Sequence, residues 1–145
     1  MAIFNGTDLI LKVLNQASGG TQEKLMHSQN VSISMNVDTI DISTKDSSGF
    51  RDLLGGQKSF SLSADGLMDF NSSGTDTEVD ELFDQMFGRT AVTFTFGLAS
   101  TTTGDYTYSG SGFVTSLEIS GGTEDAPTYS VSIEGTGALT QNDIT

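Results

Sequence analysis

The sequence predicts a mainly β fold: a β-sandwich or partly closed barrel with one α-helix, at about residues 76–87, packed against it. Two observations carry this. Most of the chain alternates apolar residues with Ser or Thr, the period of a strand with one buried face, whereas one stretch places its apolar residues at helical spacing. A third bounds it: 145 residues suffice for one core but not for two domains of ordinary size, so residues 1–145 are read as a single domain.

The first strand is "TDLILKVLN" (7–15), apolar on nearly every position and therefore expected at a central or doubly covered place in the sheet. The turn "ASGGTQ" follows. "NVSISMNVDTIDIST" (30–44) sets Val31, Ile33, Met35 and Val37 against Ser32, Ser34 and Asn36, a long strand or a bent pair. A long loop is expected at about 43–57. It contains "DSSGFRDLLGG" (46–56), in which Phe50, Leu53 and Leu54 are large apolar residues among loop-forming Ser, Gly and Asp. "KSFSLSADGLMDF" (58–70) returns with Phe60, Leu62 and Ala64 opposite Ser59, Ser61 and Ser63.

The helix signal is "TDTEVDELFDQMFG" (75–88). Thr75 is the expected N-cap, Glu78 completes a capping box, and Gly88 is the expected left-handed stop. Val79, Leu82, Phe83, Met86 and Phe87 form one stripe expected to face the sheet. Beyond it, "RTAVTFTFGLAS" (89–100) is a strand, and "DYTYSGSGFVTSLEISG" (105–121) a strand bulged at Gly110 and Gly112. "PTYSVSIEGTGALT" (127–140) closes a hairpin through "GGTEDA".

Charge and composition exclude several classes. Six basic against 19 acidic residues give a formal net charge of −13, which argues against a surface that grips nucleic acid by neutralising phosphates. No Cys is present, so disulfides, thiolate metal sites and Cys nucleophiles are ruled out. The N-terminal stretch has no basic segment or small-residue cleavage site, and no secretory signal is expected. No apolar run approaches the ~20 residues of a membrane-spanning helix.

Candidate chemistry is sparse. Asp69, Asn71, Ser73, Gly74, Thr77 and Asp80 match the spacing of a calcium loop, but a strand rather than a helix precedes them, and a turn plus a helix cap explains them. His27 is the only histidine, so a Ser-His-Asp triad would need it, and no nucleophile elbow accompanies it. "GSG" (110–112) and "GTG" (135–137) lie inside strands, not at a helix start where glycines cradle phosphate. No catalytic, cofactor-binding or metal-binding residue is assigned. The polar strand faces are more telling: they are Ser- and Thr-rich with few Lys, so the sheet is poorly defended against pairing with another.

The order "NGTDLILKV", "VSISMNVDTIDISTKDSSGFRDLLGGQKSFSLSADGLMDF", a short capped helix and "GSGFVTSLEISGGTEDAPTYSVSIEGTGALT" resembles the major tail protein family of long non-contractile phage tails and related gene transfer agents. The resemblance runs along essentially the whole chain. It implies a structural virion protein, not an enzyme, that polymerises into stacked hexameric rings whose strands join one inner barrel. Such a tube is a conduit for DNA ejection into the host. The implied partners are further copies of itself, tape measure, tail tip and tail terminator proteins, and double-stranded DNA in transient, non-specific passage. No membrane or cofactor is implied. The implied location is the virion tail, assembled in the host bacterial cytoplasm. Family analogy makes Asp38 and Asp41 candidates for the lumen wall, and Phe50, Arg51, Leu53 and Leu54 candidates for contact between subunits. The competing class is a monomeric β-sandwich binding or adhesin module. It would want an exposed aromatic platform, for which a chain with no Trp offers chiefly Tyr106 and Tyr108.

Overall fold

The computed structural model describes residues 5–15, 21–68, 70, 79–98 and 102–145. Seven strands are present: β1 (Leu9–Asn15), β2 (Thr21–Lys24), β3 (Ser28–Asp41), β4 (Leu53–Leu67), β5 (Val92–Leu98), β6 (Tyr106–Ser120) and β7 (Thr128–Asp143), with one helix, α1 (Val79–Phe87). They form a single antiparallel sheet in the order β2-β1-β5-β6-β7-β4-β3, not closed by hydrogen bonding. The mainly β architecture with one helix is therefore as the alternation predicts.

The sheet curls because each strand pair twists, and the curl brings β1 against β3 although they stand at the second and seventh places in the order. Its concave face is the core. Leu11, Val13, Phe60, Leu62, Ala64, Val92, Phe94, Val114, Tyr129, Val131 and Ile133 are buried there. On β4, β5 and β7 these are the alternate positions the pattern assigned inward, whereas on β6 Val114 is buried and Phe113 is 42% exposed, because an extra residue between Val114 and Ser116 shifts the alternation. Phe60 tilts onto Phe94 at 57° with ring centroids 5.8 Å apart, a favoured aromatic geometry.

Three boundaries differ from the sequence reading. β2 falls where a turn was expected: "TQEK" has no apolar alternation, and pairing with β1 alone makes it a strand. The loop expected at about 43–57 is confined to residues 42–52, because Leu53 and Leu54 already pair with Asp41 and Ile40. β3 is one long strand, not a bent pair, with irregularities at Ser28/Asn30 and Val37/Thr39.

The helix carries two corrections; its expected cap residues Thr75 and Glu78 lie outside the described residues. The apolar stripe does not face the sheet as one. Val79 and Leu82 are buried with Gln85, whereas Phe83 and Phe87 are 50% and 66% exposed. The stripe spans about 140° of the helix at 100° per residue, and the sheet covers only its Leu82 side. At the C-terminus Gly88 is the cap, while Arg89 holds the left-handed position at φ 55°. Its N–H donates to the Met86 carbonyl and that of Thr90 to the Gln85 carbonyl, the paired bonds of a Schellman end.

Candidate assembly surfaces

The face of the sheet opposite the core is polar across four adjacent strands, β3, β4, β7 and β6. Cross-strand partners share a face, so the ladder places Ser32, Ser63, Ser132 and Ser116 in one row. Asn30, Asp65, Ser130 and Glu118 form the next, and Ser34, Ser61, Glu134 and Phe113 a third. The surface is internally bonded: Ser32 and Ser63 hydroxyls lie 2.6 Å apart and Asn30 Nδ2 donates to Asp65 Oδ2 at 3.3 Å. Apart from Asn30 and Phe113, the positions of these rows hold carboxylates and hydroxyls, with no Lys or Arg.

On both sides of this four-stranded portion the ladder ends without a further strand among the described residues. β3 is the last strand of the sheet. β6 pairs with β5 only from Tyr108 to Gly112, so Phe113–Ser120 has β7 on one side and no described strand on the other. Neither edge segment carries a Lys, Arg or Pro, the residues that normally forbid edge pairing. Four antiparallel strands leave β3 and β6 running in opposite directions. A second copy in the same orientation would thus meet the first antiparallel, and the ladder would continue.

Beyond Ser61, β4 parts from β7, and β3 and β4 continue as a two-stranded arm. A bulge sets Asp38 opposite Gly56 and Gln57. At Gly56 an added Cβ would lie 3.1 Å from the Asp38 carbonyl oxygen, a tight contact. Val37 and Ile40 stand three positions apart on the regular strand, so the arm shows apolar residues on both faces: Met35 and Val37 on one, Ile40 with its partner Leu54 on the other.

The tip is an ordered structure. Thr44 and Ser47 form a capping box on a 3₁₀ turn, Lys45–Ser47. The Ser43 hydroxyl accepts from the Asp52 N–H at 2.7 Å, and the Ser43 N–H donates to Asp41 Oδ1 at 2.9 Å. The Ser43 hydroxyl, then its backbone N–H, hold the Asp41 carboxyl below its ordinary 3.8.

The sequence-predicted site residues fall on this arm. Phe50 at the apex is 79% exposed, and Leu53 and Leu54 are exposed as well. Arg51 Nε lies 3.9 Å from Asp41 Oδ2, joining a contact candidate to a lumen candidate. Asp38 stands at the bulge, and Asp41, across from Leu53, shares the core-side face. The acids in the middle of the polar face are instead Asp65, Glu118 and Glu134. The signal for them was the polar half of the strand alternation, which marks a face but not which face of the sheet stays uncovered. His27 sits in the β2–β3 turn at φ 43°, and the calcium-loop pattern lies mostly outside the described residues. Among the described residues no three His, Asp or Glu are grouped to hold a metal ion, and no helix is long and apolar enough to cross a membrane.

The model of the phage tail tube protein family matches residues 3–141. The chain belongs to that family. Tail tube proteins are structural parts of a tail and not enzymes. Among solved structures, it is similar to a chain of the native gene transfer agent virion (TM-score 0.78, 23% identity, covering 97% of this chain and 99% of that one). A chain of the gene transfer agent tail is similar at TM-score 0.76 and 26% identity, with 97% and 99% covered. The SPP1 tail tube shares the fold at TM-score 0.75 and 16% identity, with 98% and 80% covered. No curated protein matches the chain.

Proposed function

We propose that this tail tube protein polymerises into stacked hexameric rings that form the tube of a long non-contractile tail, through which DNA is ejected into the host. The observation that carries the reading is the four-stranded polar face bounded by two antiparallel free edges, β3 and Phe113–Ser120 of β6. Pairing β6 of one copy with β3 of the next turns each sheet portion into a segment of one continuous barrel. The head-to-tail contact closes into a ring at a fixed rotation, and the similar gene transfer agent tail has C6 symmetry.

In that ring the core face is turned outward, and the Ser/Asn/Asp/Glu face lines the lumen. Asp65, Glu118 and Glu134, with Asp38 nearer the arm, make the wall acidic. Phosphates are repelled within roughly a Debye length, ~8 Å at physiological salt, so DNA passes without adhering. The arm, with Phe50, Arg51, Leu53 and Leu54, reaches a neighbouring copy. Tape measure, tail tip and tail terminator proteins set length and ends, and assembly takes place in the host bacterial cytoplasm before the tail joins the virion.

Negative-stain electron microscopy of the purified protein, alone and with tail initiator proteins, tests this. Rings or tubes of six subunits are expected. A species that stays monomeric even beside the initiators would sink the reading.

A further inference from the structure

We infer that the ring closes in one register, in which Leu117 and Ile119 of β6 stand opposite Val37 and Met35 of β3 in the next copy. Ser116, Glu118 and Ser120 then stand opposite Asp38, Asn36 and Ser34. The inference rests on the tube reading and fixes which residues of its two edges meet.

Backbone hydrogen bonding sets the parity. Residues of an antiparallel strand bond alternately to either side, and the Leu67 N–H reaches the His27 carbonyl on the β3 side of β4. Carried through the ladders, this turns the N–H and C=O groups of Ile33, Met35 and Val37 on β3, and of Leu117 and Ile119 on β6, away from their own sheet. The two edges bond only when these residues stand opposite one another, which also keeps the polar face continuous from copy to copy.

Barrel geometry sets the range. Ser116 and Ser32 share a row within one copy, but the strands of a closed barrel are tilted, so the row leaving Ser116 reaches the next copy displaced along β3. Most of β3 lies beyond Ser32, toward Asp41, and the displacement runs that way. With four strands per copy, ~4.8 Å between strands and ~3.3 Å per residue, displacements of four, six and eight residues give tilts of roughly 35°, 46° and 54°, against the ~35–45° usual in barrels.

Side chains select the displacement of six. It covers Met35 and Val37, which their own chain leaves 47% and 57% exposed, with Ile119 and Leu117. On the polar face it sets the Glu118 carboxylate against the Asn36 amide and the Asp38 carboxylate against the Ser116 hydroxyl, so each acid meets a donor. A displacement of four moves Ile119 to Ile33, already packed on its own core, and leaves Asp38 beside Phe113 and Val114. A displacement of eight sets Glu118 directly opposite Asp38, a repulsive cross-strand pair. The stretch that is used, Ser34–Asp41, is also the part of β3 in which every residue is exposed in the single copy.

The absence of native cysteine makes the test clean. Ser34 and Ser120 form a non-hydrogen-bonded pair in this register, with Cα atoms ~4.5 Å apart, within disulfide reach. Ser34→Cys and Ser120→Cys are introduced together, tubes are assembled with the initiators and oxidised, and products are separated without reductant. A ladder of cross-linked chains is expected from tubes, with none from unassembled protein or either single variant. Ser120→Cys combined with Ser32→Cys or Asn36→Cys reports the displacements of four and eight, and no ladder is expected from either. A ladder from one of these instead, or tubes with no ladder at all, overturns the register and leaves tube formation standing, whereas wild-type protein that never assembles overturns both. A second measurement does not need the cysteines to be tolerated. Asn36→Asp sets a carboxylate opposite Glu118 and is expected to raise the protein concentration needed for tubes by up to about fivefold. Adding Glu118→Gln should restore it, while Glu134→Gln, which removes the same charge away from the edge, should not. Equal restoration by both counts against the register.

Discussion

The Tyr129 hydroxyl donates a hydrogen bond to the Met26 carbonyl, joining β7 to the β2–β3 turn across 103 residues of sequence. Tyr129 is 1% exposed, so this bond is made away from water and ties the middle of the sheet to the turn that links its two edges. Tyr129→Phe should cost about 1–3 kcal/mol, because the Met26 carbonyl loses its donor in a buried place. Urea unfolding of the unassembled chain measures it.

The same phenol gives a pH dependence. Burial, and then the charge of Asp65, raise its pKa above the ordinary 10.0. The unfolded chain releases this proton from about pH 10 while the folded chain keeps it. Stability from the neutral phenol is therefore complete below pH 10 and lost as pH rises above it. Wild type should lose more stability than Tyr129→Phe between pH 9 and 11; parallel profiles would contradict this.

Gly135 lies where β4 leaves β7, directly under the Phe60 ring. A Cβ there would stand 2.3 Å from a ring carbon. Gly135→Ala should destabilise the fold by about 1–3 kcal/mol through overpacking, and Phe60→Leu in the same chain should recover part of the loss. A double-mutant cycle by thermal unfolding reads the coupling.

Arg89 occupies a left-handed conformation at φ 55° that glycine adopts without strain. Arg89→Gly should stabilise the unassembled chain by up to about 1 kcal/mol. An unchanged or lowered midpoint in denaturant would show that the arginine side chain contributes more than the strain costs.

Leu53→Asp should leave the unassembled chain folded, with its circular dichroism intact, and block tube formation. The residue is 42% exposed and near the arm's free end, so a charge there meets water in the single copy. Loss of the folded signal would instead place Leu53 in support of its own chain.

Much of the fold is legible in local chemistry. Alternation such as Phe60, Leu62, Ala64 against Ser59, Ser61, Ser63 specifies a strand and its inward face, because period two is the geometry of the strand itself. The β6–β7 hairpin was visible for the same reason, but the bulge expected at Gly110 and Gly112 was not placed correctly: the extra residues lie on β7 between Thr136 and Thr140 and on β6 between Val114 and Ser116. β2 was not: four polar residues become a strand only when β1 supplies the hydrogen bonds. Neither was the division of the α1 stripe, since residue spacing gives the width of an apolar arc and not how much of it a sheet covers.

The sequence by itself determined six of the seven strands, the helix, the acidic charge and the family resemblance, all properties carried by neighbouring residues or by their order. Only the tertiary structure decided which surfaces remain open. The strand order 2-1-5-6-7-4-3 leaves β3 and half of β6 as antiparallel edges, brings Asp65, Glu118 and Glu134 onto one uncovered face, and holds Phe50 away from its own core. These are relations between segments far apart in the chain, and pairing and twist fix them where no local pattern can.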